Sequence, residues 1–225
     1  MTLHPRLDLA LDHGGLTLPE GRIAVFGPRM GKTLNPLPKD RTEIITGFFP
    51  DFQAFERQGY TCWVTPEGRY DMVIVMLPRA KALARGWIAQ AIALSDGPVV
   101  IDGAKVDGVE SILRDCRKRS DVLGPVNKAH GKLFWMTGGD FADWATRSAT
   151  LPEGFQTAPG TFSADGIDPA SALLAGTLPE KLGQHVIDLG CGWGFLTSGI
   201  LDLPGVALVE SVEADHAALA CARLN

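Results

Sequence analysis

The chain has 225 residues, 45% of them hydrophobic and 21% charged, with 21 Lys/Arg against 26 Asp/Glu for a net charge of −5. That balance belongs to a globular protein of one large or two small domains and excludes fibrous and disordered classes. No apolar run approaches the ~20 residues of a membrane span, and the stretch from Met1 to Ala10 lacks the apolar core of a signal peptide. The four cysteines (Cys62, Cys116, Cys191, Cys221) show neither Cys-x-x-Cys pairing nor zinc spacing, which excludes structural zinc. A cytoplasmic location with reduced thiols is the expectation.

Charge is split along the chain. Residues 1–150 hold 19 Lys/Arg and 17 Asp/Glu, a net of +2, whereas residues 151–225 hold only Lys181 and Arg223 against nine acids, a net of −7. The basic residues of the first part cluster around Lys32, Lys39 and Arg41, around Arg79, Lys81 and Arg85, in Arg114 to Arg119, and at Lys128 and Lys132. Such a surface can track phosphates, or it can be a set of solvated helix faces.

In chain order, Arg22–Phe26 reads as a short strand closed by Gly27-Pro28. Tyr60–Val64 and Asp71–Leu77 follow as β-branched and apolar runs, the second ended by Pro78. Uninterrupted apolar runs suit parallel strands buried on both faces. Lys81–Leu94 has helical spacing (Leu83, Trp87, Ile88, Ala91, Ile92) and stops at Asp96-Gly97-Pro98. Val99–Ile101 is another buried strand, Val109–Arg119 a helix, and Lys132–Met136 a last strand. This alternation predicts an α/β fold with a mostly parallel sheet. From Gly138 to Gly160 the sequence turns polar and irregular, so a domain boundary is expected near residues 145–155, dividing the chain into 1–150 and 151–225.

Gly27-Pro-Arg-Met-Gly31-Lys32-Thr33 superficially resembles a phosphate loop. It has one residue too few between its first glycine and the Gly-Lys pair. Two prolines in Leu34–Pro38 also break the helix such a loop must open. ATP binding is not expected there.

The informative segment is His185-Val-Ile-Asp188-Leu-Gly190-Cys191-Gly192-Trp-Gly194-Phe-Leu. A buried strand ends at the acid, and glycines turn the chain into a helix from about Phe195 to Leu203. Glycine is needed where φ is positive and where a ligand lies against backbone. A second strand from Val206 to Val212 ends at Glu213, and Asp215 can cap the next helix. Glu213 lies 19 positions after Gly194, where an acid can accept hydrogen bonds from both ribose hydroxyls of a nucleoside.

This pattern resembles the first motif of the class I S-adenosylmethionine-dependent methyltransferases. The resemblance implies that Gly190, Cys191, Gly192 and Gly194 lie against the methionine part of the cofactor, that Asp188 orients the turn, and that Glu213 holds the ribose. Trp193 would cover the turn, with Cys191 a small filler and not a nucleophile. Just upstream, Ala158-Pro-Gly-Thr-Phe162-Ser163-Ala-Asp165-Gly166 to Leu174 is similar to the segment preceding that motif in the family of ribosomal RNA small subunit methyltransferase C and its large-subunit relatives. The resemblance implies tandem Rossmann-like methyltransferase domains, the first a degenerate copy that recognises substrate and the second the catalyst. It also places Phe162, Ser163 and Asp165 near the methionine end. The alternative reading makes Phe162 a packing ring and Asp165-Gly166 a turn, and for Asp165 the two readings are even.

The same family carries an Asn-Pro-Pro-Phe/Tyr element that holds the target amine, and no Asn-Pro-Pro occurs in these 225 residues. The expectation is therefore a second domain incomplete in this chain, without catalytic residues of its own, or a sheet completed by association through its open edge. The activity implied is guanine-N2 methylation of rRNA in the small ribosomal subunit, with S-adenosyl-L-methionine as cofactor and no metal. A class I methyltransferase acting on a protein or small molecule, and a non-catalytic RNA-binding module, are the competing expectations.

Overall fold

The computed structural model describes residues 5–32 and 34–225. Met1–His4 and Thr33, the last residue of the loop that mimics a phosphate loop, lie outside the described residues. The chain divides into two compact units between Thr146 and Arg147.

The first unit runs α1 (Pro5–Asp12), β1 (Ile23–Phe26), β2 (Thr42–Ile45), α2 (Phe49–Arg57), β3 (Thr61–Trp63), β4 (Met72–Met76), α3 (Lys81–Leu94), β5 (Val99–Ala104), α4 (Val109–Cys116), β6 (Leu123–Lys128) and β7 (Gly131–Met136). Its sheet has seven strands in the order β3-β2-β1-β4-β5-β7-β6. The first five are parallel, and β7 runs antiparallel to both β5 and β6. The expected mostly parallel α/β sheet is therefore present.

The sequence pattern explains why both faces are covered. Alternate residues of β4 and β5 point to opposite sides. Val73, Val75, Val99 and Ile101 pack with Ala84, Ile88 and Ala91 of α3 and with Val109, Ile112 and Leu113 of α4. Met72, Ile74 and Val100 pack on the other side with Leu7 and Ala10 of α1 and Phe55 of α2. A strand buried on both faces cannot alternate apolar with polar, hence the continuous run from Met72 to Leu77.

The second unit contains a short hairpin of β8 (Ala149–Thr150) and β9 (Gln156–Thr157), then α5 (Pro169–Thr177), β10 (His185–Leu189), α6 (Phe195–Leu201), β11 (Leu208–Val212) and α7 (His216–Ala222). β10 and β11 form a two-stranded parallel sheet. Ile187, Leu189, Leu208 and Val212 on these strands are exposed. The small core of this unit is Leu151, Trp193 and Cys221, with Phe155, Ala158, Ile167 and Phe195 against it. No helix among the described residues is long and apolar enough to cross a membrane.

Candidate functional site

The second unit gathers its candidate residues around the turn between β10 and α6. Gly190, Gly192 and Gly194 all have positive φ (80°, 56° and 93°), the conformation glycine adopts without strain. A Cβ at Gly190 or Gly192 would meet nothing within 4 Å, so the turn presents bare backbone to open space. Gly194 differs: a Cβ there would lie 3.2 Å from Ala222 of α7, so its smallness serves helix packing.

Two acids fix the turn from either side. Glu213, just past β11, accepts from the Gly192 N–H through one oxygen at 2.8 Å. Its other oxygen accepts from the Ala214 and Asp215 N–H groups at 2.7 and 2.9 Å. The strand-end acid is thus placed against the glycine turn, as its position in sequence requires. Asp188 near the end of β10 accepts from the Thr197 hydroxyl at 2.6 Å, and Thr197 in turn lies 2.9 Å from the Ser211 hydroxyl. This carboxylate joins β10, α6 and β11 in one network. The backbone of the turn is further tied by the Gly190 and Cys191 N–H groups donating to the Val212 carbonyl.

Trp193 packs beneath the turn and makes edge and tilted contacts with Phe155 and Phe195, ring centroids 5.2 and 5.9 Å away. Its indole N–H donates to the Phe162 carbonyl at 2.9 Å, which brings the upstream segment to the glycine turn. Phe162 itself is exposed, with a relative accessibility of 69%, so the structure leaves its ring free of packing. Ser163 adopts a left-handed φ of 51° and its hydroxyl donates to the Gly166 carbonyl at 2.7 Å. Asp165, between them, is exposed in that tight turn. The geometry therefore brings Phe162 and Ser163 beside the turn through backbone and local bonds.

Cys191 is buried, and burial raises its thiol above the ordinary range, with the charges of Asp188 and Glu213 adding to the effect. A thiol held protonated in this way is a filler and a poor nucleophile.

Three participants were not apparent in the sequence. Thr197 and Ser211 complete the Asp188 network. Asn225 accepts from the Gln156 N–H at 2.6 Å and donates to the carbonyls of Gln156 and Trp193 at 2.9 and 2.5 Å, stapling β9 to the turn. Thr197 carried a usable signal: it sits in the first turn of the helix that follows a strand-end acid. Asn225, 69 positions from Gln156, carried none.

Among the described residues the first unit shows no equivalent cradle. At Gly27 after β1 a Cβ would fall 2.3 Å from the Trp87 ring, so that turn is closed by the protein itself. Asp51 is buried there and accepts from Met30 N–H at 2.8 Å and Arg29 at 3.2 Å, so the protein's own carboxylate takes up these loop donors.

Residues 153–225 match the methyltransferase small domain, and the chain resembles the class I S-adenosylmethionine-dependent methyltransferases. It is similar to ribosomal RNA small subunit methyltransferase C of Shewanella amazonensis, 30% identical over 199 residues that cover 78% of this chain and 58% of the relative. The same enzyme of Pseudomonas putida is 27% identical over 71% of this chain and 52% of its own length. Among solved structures, a 16S rRNA N2 methyltransferase of T. thermophilus, in complex with AdoMet and guanosine, is 25% identical. It superposes with a TM-score of 0.77 over 98% of this chain and 65% of its own. The chain thus spans between about half and two thirds of the length of these relatives.

Proposed function

We propose that this chain acts in the S-adenosylmethionine-dependent methylation of a guanine N2 in rRNA of the small ribosomal subunit, in the cytoplasm. The observation that carries the proposal is the open glycine turn at 190–194, braced by Asp188 and Glu213. A turn with two positions free of neighbours and φ values only glycine adopts easily has a shape suited to a ligand lying on its backbone.

In this reading Gly190, Cys191, Gly192 and Gly194 bear against the methionine part of the cofactor. The Glu213 carboxylate, already anchored by backbone N–H groups, has lone pairs left to accept from ribose hydroxyls. Asp188 keeps the turn in place through Thr197, and Phe162, Ser163 and Asp165 close the methionine end from the segment that Trp193 holds. When bound, the cofactor supplies a methyl group activated on a sulfonium for attack by an amine. No side chain of these 225 residues is assigned to the amine, because the Asn-Pro-Pro element implied by the resemblance is not among them.

The domain expected over residues 1–150, of which the first compact unit makes up all but the last four residues, is read as a methyltransferase-like copy without cofactor function that helps hold RNA presenting an unpaired or flipped base. Two features favour this. Its central strands are parallel, as β10 and β11 are, and its own turn after β1 is filled by Trp87.

Disruption of the gene in its host tests the activity. Mass spectrometry of nuclease-digested small-subunit rRNA is expected to show the loss of one N2-methylguanosine, restored by the intact gene. An unchanged set of methylated guanosines would overturn the rRNA assignment and move the substrate to a protein or small molecule.

A further inference from the structure

Ligands of open α/β sheets gather beyond the carboxyl ends of the parallel strands. In the first unit this edge is built from the loops after β1, β2, β4 and β5 and from the β6–β7 turn, because Ala104 ending β5 pairs with Gly131 starting β7. Arg29, Arg79, Lys105, Lys128, His130 and Lys132 stand on these segments.

The acids nearby offset them only in part: Arg29 pairs with Asp51 at 3.2 Å. Asp51 is buried on Arg29 and the Met30 N–H, and Asp107 accepts from the Ala104 N–H at 3.2 Å. Glu110 lies 4.0 Å from Lys105 and 3.8 Å from Lys132 and is shared between them. Among the described residues Arg79 and Lys128 make no ion pair. At the amino ends of the strands the pattern reverses: Arg22 pairs with Glu43, Arg41 with Glu20 and Arg69 with Asp96.

The β6–β7 turn is also rigidly presented. Ala129 and His130 have φ of 50° and 54°, a conformation that is costly without glycine. Arg6 of α1 holds it by donating to the Lys128 carbonyl at 2.9 Å while forming a two-pronged pair with the buried Asp102 at 2.6 and 2.9 Å. A concavity of about 290 Å³ lies at this turn, lined by Lys105, Asn127, Lys128, His130 and Lys132.

We propose that this edge, centred on the β6–β7 turn, binds the phosphate backbone of the substrate RNA. The proposal rests on the reading of the chain as acting on rRNA. A fixed row of cations with few opposing acids suits successive phosphates, which position an RNA without reading its bases. The edge does not serve as a second cofactor site, since the Gly27 turn is filled. Another basic cluster, Arg117 and Lys118 just past the end of α4, lies at the opposite edge and takes no part.

The test uses the full chain and a fluorescein-labelled single-stranded RNA of about 16 nucleotides, with fluorescence anisotropy read between about 50 and 200 mM KCl. Two variants are compared, Arg79→Gln/Lys105→Gln/Lys128→Gln and Arg117→Gln/Lys118→Gln, both checked for fold by circular dichroism. The triple variant is expected to flatten the slope of log affinity against log salt by about 2, roughly 0.7 for each of three lost phosphate contacts. The double variant is expected to leave it unchanged. Equal slopes for the triple variant and the unsubstituted chain would overturn this surface while leaving RNA binding in place, as would loss in the double variant alone. Absence of RNA binding at low salt would overturn the rRNA reading together with it. Equally tight binding of a polyglutamate peptide, lost in the triple variant, would reassign the edge to an acidic protein.

Discussion

Gly192→Val is expected to abolish S-adenosylmethionine binding by this chain while the seven-stranded sheet stays folded. Residue 192 sits at φ 56°, where a β-branched side chain is a genuine outlier. The left-handed conformation costs a residue with a Cβ about 1–2 kcal/mol. Apart from its two chain neighbours, no atom of the described residues stands within 4 Å of a Cβ there, so the new side chain occupies the space proposed for the cofactor. The Gly192 N–H that Glu213 accepts at 2.8 Å would be disturbed as well. Equilibrium dialysis with radiolabelled cofactor is expected to show a loss of at least about 100-fold, equivalent to roughly 2.8 kcal/mol. The core of the first unit draws nothing from this residue, and its circular dichroism and unfolding transition are expected to be unchanged. Retained affinity would remove the turn from the binding site, and collapse of both units would refute their independence.

Arg6→Met has the largest expected effect on the first unit. The guanidinium and the Asp102 carboxylate are both buried, with side-chain accessibilities of 7% and 4%. Removing one partner of a buried pair costs about 3–5 kcal/mol, because the remaining charge keeps its desolvation penalty. A loss of about 3 kcal/mol is expected in urea unfolding of the first unit, followed by tryptophan fluorescence. The double variant Arg6→Met/Asp102→Leu is expected to recover part of it, since the buried carboxylate and its desolvation cost are then removed as well. A loss below about 1 kcal/mol would show that the pair is solvated and does not clamp the β6–β7 turn.

What the sequence revealed, and what it hid, follows from the range of the interactions. The helix Lys81–Leu94 and the strand within Asp71–Leu77 announce themselves through periodicity and length, and the glycine turn through local φ requirements. β2 was not apparent: Thr42–Ile45 is four residues long with Glu43 in its middle, too short for a pattern. β6 was obscured by Gly124-Pro125, and it is an edge strand, where a proline is tolerated. The helices α1, α2 and α5 are not legible in the sequence either; α1 and α2 supply the cover for one face of the sheet. The tie from Arg6 to Asp102 spans 96 positions, and those from Asn225 to Gln156 span 69. Such bonds have no periodic signature. Within the site, the acids and glycines were legible because a nucleoside-binding turn needs them at fixed spacing, whereas the Thr197–Ser211 bridge depends on how α6 packs over β11.

The central claim is that the second unit, and not the first, holds the cofactor. Photo-crosslinking of the full chain with S-adenosylmethionine carrying a tritiated methyl group tests it directly. Lys181 and Arg223 are the only lysine and arginine after position 150, so trypsin leaves the turn and Glu213 in a single peptide, 182–223, and Phe162 to Asp165 in another, 148–181. Label is expected in these two peptides, with 182–223 dominant, and unlabelled cofactor is expected to compete it away. Label confined to peptides from residues 1–147 would contradict the assignment of the cofactor to the glycine turn.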